Sequence, residues 1–180
     1  ISKAIELFQE FETDPWFAQA ILLIESPGKM AYSNAGAYGS FQLMKSVART
    51  HGLIVNREID ERKDFNKSAK AASSLISKVC IPEAKRILVK KGIDFSESDL
   101  WFKFLVLHIY HAGAGNVGGL INQLVEPKTG INLISWIWQN EWGGFKNASQ
   151  NYSQVAIASL LGLHELIYDK CNGIYDCDAF

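Results

Sequence analysis

Glu25 is the one carboxylate in the stretch LIESPGKMAYSNAGAYGSFQLM, Leu23 to Met44. It ends an apolar run, and a polar loop punctuated by Gly36 and Gly39 follows it. Cleaving a glycosidic bond needs a protonated acid beside the leaving oxygen, and apolar surroundings favour the protonated form of a carboxyl. A glutamate in this position suits that task. A solvated helix end is the plainer reading of an isolated glutamate, and position alone does not separate the two.

A second carboxylate would be needed to activate water from the opposite face of a sugar, ~6.5–9.5 Å away in an inverting enzyme. Asp60, Glu61 and Asp64 in IDERKDF are the candidates. The block reads more readily as ion-paired scaffold. His51, His108, His111 and His164 form no pair at ligand spacing with a matching carboxylate motif, so no metal site is expected. His108 and His111 lie three apart on a helical pattern, which puts one in the core and one on a cleft. GAGNVGG, residues 113–119, lacks a preceding strand and a P-loop lysine, which argues against a nucleotide phosphate cradle. Trp136, Trp138 and Trp142 could stack on sugar rings, but their spacing favours core packing.

The elements that must position these groups are helical almost throughout. Asp14 followed by Pro15 starts a helix that is apolar nearly all round and ends at Glu25. It is the expected centre of the domain. Ser2 and Ser98 are candidate caps of two further helices, Gly52 and Gly92 candidate ends of two others, and Pro82 the start of a separate one. SQNYSQVAIASLLGLHELIYDK is the longest periodic run. No stretch alternates as a strand with hairpin signals, and the irregular loops are expected at 27–40 and 143–148.

The 180 residues suit one domain, 1–180, with 48% hydrophobic and 21% charged residues. A net charge of −1 offers no polybasic surface for nucleic acid or anionic membranes. No apolar run approaches the ~18 residues of a membrane span, so membrane contact would come only through a segment outside this numbering. Cys171 and Cys177 in the tail are spaced for a local disulfide, with Cys80 a buried thiol; three reduced cysteines are the alternative.

Four motifs in order carry a family resemblance. Glu25-Ser26, Ser33, Gly36-Ala37, Gly39, Gln42 and Met44 follow the Glu-Ser, Ser-x-x-Gly-Ala-x-Gly, Gln-x-Met pattern of lytic transglycosylases of the soluble and goose-type-lysozyme superfamily. IDERKDFNKSAKAASSL, Ile59 to Leu75, resembles a block of the membrane-bound lytic transglycosylase D branch. LHIYHAGAGNV at 107–117 resembles AAYNAGPGNV, and ASQNYSQVAIASL resembles the ET-x-x-Tyr-Val segment through Tyr152. The resemblance spans roughly 14–160 and leaves 161–180 as a helix end and cysteine-containing tail.

The resemblance implies a mostly α, lysozyme-like domain whose helices surround a central buried helix beside a glycan-binding groove. It implies a monomer of the periplasm or cell envelope acting on peptidoglycan strands without cofactor. Glu25 would be the single acid/base, cutting the MurNAc–GlcNAc β-1,4 bond and closing a 1,6-anhydro ring with the sugar's own 6-hydroxyl. Ser33 and Gln42 would position the sugar, with Tyr110 and Tyr152 near Glu25. Met44 and His111 join this substrate-binding set; Met44, like Phe41, has a core reading of equal weight. The departures are His111 for Asn, Ala114 for Pro, Ser40 for an apolar residue, Lys45 for Pro and Ala148 for Glu. They leave two enzymatic outcomes open, anhydro formation or hydrolysis of the same bond on a normal or N-deacetylated glycan. A non-catalytic wall-binding module is the third reading.

Overall fold

The computed structural model describes residues 1–25, 33 and 36–173, with side chains through 166. Ser26 and the Cys171–Cys177 pairing lie outside the described side chains. The helices are α1 Ser2–Glu10, α2 Pro15–Glu25, α3 Lys45–Thr50, α4 Phe65–Leu75, α5 Ile81–Lys90, α6 Leu100–Ala112, α7 Ala114–Asn122, α8 Gly130–Gln139 and α9 Tyr152–Gly173. Among the described residues, strand-like pairing is limited to isolated bridges: Tyr38 with Leu43, Val55 with Asp60, and Trp142 with Phe145.

α2 begins as its sequence dictates. The Asp14 carboxylate accepts from the Trp16 amide at 2.9 Å, and Pro15 fills the first helical position, where no N–H is needed. Gly52 and Gly92 follow α3 and α5 with φ of +90° and +63°, the left-handed conformation that ends helices. The expected serine caps are not used. Ser2 is already the first residue of α1, and α6 starts after Asp99, whose carboxylate takes the Ser96 amide and the Trp101 indole N–H, each at 3.1 Å.

The centre of the core is α6, not α2. Phe102 and the run from Phe104 to Ile109 are all buried, and α6 packs against α2, α5, α7, α8 and α9. α2 packs on α1, α9 and α6 and keeps Leu23, Ile24 and Glu25 partly open. Both helices are apolar on every face, so periodicity could not rank them; the need for one end of α2 to open outward does.

Pro82 does not start a separate helix. α4 and α5 run together through a π-helical turn, Ile76–Cys80, with Pro82 just inside α5. Proline lacks an amide donor and its ring crowds the carbonyl four residues earlier, and the wider turn accommodates both.

Candidate active site

Three helix ends converge on one carboxyl. Glu25 closes α2, His111 lies in the last turn of α6 and Tyr152 opens α9. The Tyr152 hydroxyl donates to Glu25 Oε1 at 2.8 Å, and His111 Nδ1 lies 3.6 Å from the same oxygen. The Glu25 side chain is 18% exposed and that of His111 28%. Burial, then the charge of Glu25, pushes the ionisation of the Tyr152 hydroxyl well above its usual range. It therefore stays a donor.

Glu25 opens into a cavity of about 160 Å³ lined also by Ser33, Gln42, Met44, Tyr110 and His111. Six of the seven site residues expected from sequence thus line one cavity, and Tyr152 stands behind Glu25. Tyr110 donates to the Phe41 carbonyl at 2.6 Å, fixing α6 to the loop opposite. Ser33 Oγ accepts from the Ala37 amide at 3.0 Å, and Gln42 Nε2 donates to the Gly39 carbonyl at 3.0 Å. Gln42 has φ of +45°, a strained value for a residue with a side chain and one that concentrates at functional sites. Phe41 is core, stacked on Phe8, whereas Met44 is exposed at the cavity rim, so the core reading holds for the first alone.

The acidic block holds this wall. Arg62 is buried, with its side chain 4% exposed and that of Asp60 13%. Its Nε and Nη2 donate to Asp60 at 2.9 and 2.7 Å, while Nη1 reaches the carbonyls of Gly36 and Leu43, each at 3.0 Å. Hydrogen bonding from Arg62 holds the Asp60 carboxyl below its ordinary range. A β-carbon at Gly39 would lie 2.2 Å from the Arg62 carbonyl oxygen, and its φ is +83°, so glycine is required there. Glu61 accepts from the Ile54 amide and pairs with Lys67, and Asp64 caps α4 through the Lys67 amide. Among the described residues Glu25 is the one carboxylate on the cavity wall.

His108 is the core histidine and His111 the cleft one. The His108 Nδ1–H donates to the Ser149 carbonyl at 3.0 Å, tying α6 to the turn Asn147–Ser149 that leads into α9 and Tyr152. Its Nε2 has no partner among the described residues, and burial lowers its pKa to about 4. Sequence gave no sign of this tie, because its acceptor is a backbone carbonyl. The core reading of the tryptophans holds for Trp136, which packs against the core, and fails for Trp138 and Trp142, which are 46% and 44% exposed.

No helix among the described residues is long and apolar enough to cross a membrane. Among curated proteins and among solved structures, none matches the chain. A family model does, and its match holds α1 through α7, with Glu25, the Arg62-braced wall and His111, while Tyr152 reaches Glu25 from beyond it. With residues 3–129 matching the transglycosylase SLT domain, the chain belongs to that family of lysozyme-like, peptidoglycan-cleaving lytic transglycosylases.

Proposed function

We propose that the protein cuts the β-1,4 bond between MurNAc and GlcNAc with Glu25 as its single acid/base and leaves 1,6-anhydro-MurNAc ends. The observation that supports this most is the isolation of Glu25: among the described residues the cavity wall offers no second carboxylate, and Asp60, Glu61 and Asp64 are engaged in holding the loop and α4. Hydrolysis by inversion would need such a group across the sugar.

In this mechanism Glu25 gives its proton to the glycosidic oxygen as the bond to C1 of MurNAc breaks. The sugar's acetamido carbonyl stabilises the developing positive charge. The Glu25 carboxylate then takes the proton of the 6-hydroxyl as that oxygen bonds to C1, which restores the acid. Tyr152, donating to Oε1, holds the carboxyl in place and stabilises its charged form between the two steps. That contact leaves Oε2 as the oxygen to carry the proton. Ser33, Gln42, Met44, Tyr110 and His111 shape the sugar site from the surrounding wall.

The enzyme works on peptidoglycan in the periplasm or elsewhere in the cell envelope, as a monomer. The block from Ile59 to Leu75 supports a place near the membrane-bound lytic transglycosylase D branch. Mass spectrometry of the products released from purified peptidoglycan tests the chemistry. Anhydro-muropeptides are expected; products heavier by one water would establish a lysozyme instead.

A further inference from the structure

Beyond the Glu25 cavity, α5 and α7 flank a second cleft of about 320 Å³ that the proposed chemistry does not use. One end is built around Trp142. The indole rests on α7 so closely that a β-carbon at Gly119 would lie 1.8 Å from its Nε1. The turn that carries it is tied at both ends: Trp142 and Phe145 exchange backbone hydrogen bonds at 3.1 and 2.7 Å, and Asn116 Oδ1 accepts from the Gly144 amide at 3.1 Å. The ring is therefore fixed in place while 44% of the residue stays exposed. A large apolar ring held rigidly at a surface loses little entropy on binding.

The other wall is cationic. Glu83 grips Arg86 through Nε and Nη2, which orients the guanidinium and leaves Nη1 without a partner among the described residues. Lys90, one helical turn on, is exposed and has no ion pair among the described residues. Gly115 and Asn122 complete the cleft, the first leaving backbone bare and the second offering an amide. Its near end, Ala114, is three residues from His111, at most about 11 Å along the chain. A glycan strand seated at Glu25 can thus present its substituents to this cleft.

We propose that the Trp142–Arg86–Lys90 cleft binds the acidic stem peptide of peptidoglycan. Lys90 and the open Nη1 edge of the Glu83-paired Arg86 meet free carboxylates, and the indole face covers alanine methyl groups. This rests on the peptidoglycan reading above and adds to it a preference for peptide-bearing strands.

The test measures affinity of the full chain, in a Glu25→Gln background that prevents digestion, for intact sacculi and for glycan strands stripped of peptides by an amidase. Tighter binding to the peptide-bearing material is expected, with Lys90→Glu and Trp142→Ala each removing roughly tenfold of that preference, the size of one charge-assisted contact. Lys90 is a surface residue, so its variant separates binding from folding. Equal affinity for both materials, or a preference that survives both variants, would overturn the cleft and leave the Glu25 chemistry standing. Binding to neither would remove the substrate and both readings with it.

Discussion

The His111 imidazole lies against the Tyr152 ring, with centroids 4.3 Å apart and planes 25° from parallel, and both groups approach the same oxygen of Glu25. The stack joins the end of α6 to the start of α9 across the carboxyl. Tyr152→Phe keeps the stacked ring and deletes the donor. Because a hydrogen bond to a charged group contributes about 1.5–3 kcal/mol, kcat on sacculi should fall roughly ten- to a hundredfold with little change in Tm. An unchanged kcat would show that Glu25 does not need the hydroxyl.

Glu25→Gln conserves shape and removes the transferable proton. Turnover of sacculi should drop by on the order of 10²–10⁴ while circular dichroism and glycan binding are retained. Near-normal turnover by this variant would exclude Glu25 as the acid.

The wall clamp predicts a different response. Arg62→Gln strands a buried carboxylate and two carbonyls, and stability should fall by about 3–5 kcal/mol, read by chemical denaturation. Asp64→Asn weakens a helix cap and should cost about 1 kcal/mol or less, with the same anhydro products. A folded Asp64→Asn enzyme whose product had changed would give that carboxylate a chemical role.

His108 should make the fold sensitive to acid. Its folded pKa, about 4, lies below the unfolded 6.5, so the unfolded chain binds the proton more tightly. The stabilisation is fully present above about pH 6.5 and is lost as pH falls toward 4. At about 1.4 kcal/mol per pKa unit, the window is worth on the order of 3 kcal/mol. Denaturation midpoints measured across that range should decline, and His108→Gln should flatten the decline. An equal slope in both proteins would assign it to other groups.

Much of the candidate cavity was legible because its residues are local. Glu25, Ser33, Gln42 and Met44 sit within one stretch whose helix end, glycines and polar side chains are all visible in the chain. Tyr152 and His111 were legible through their motifs, although only folding brings them to one oxygen. What sequence could not rank was burial between two helices of like hydropathy: α2 looked central, and α6 is. Nor could it show that Trp142 faces outward. Helical spacing predicts core for a tryptophan, but α8 ends at Gln139, and the turn beyond it escapes that periodicity. The separate helix expected at Pro82 failed for a similar reason, since a π-helical turn has no signature in apolar spacing.

Arg62 also has a mechanical consequence. One guanidinium holds carbonyls at both ends of the 36–43 loop and a carboxylate on the segment entering α4, so these parts move as one body. The loop cannot swing away from the cavity as a flap without drawing α4 along or exposing a bare cation. The facing side is pinned as well: the Tyr110 hydroxyl of α6 donates to the Phe41 carbonyl within that same loop, and the Tyr152 hydroxyl of α9 donates to the Glu25 carboxylate. Among the described residues, both sides of the cavity are thus braced before any sugar arrives, the condition for a preorganised site.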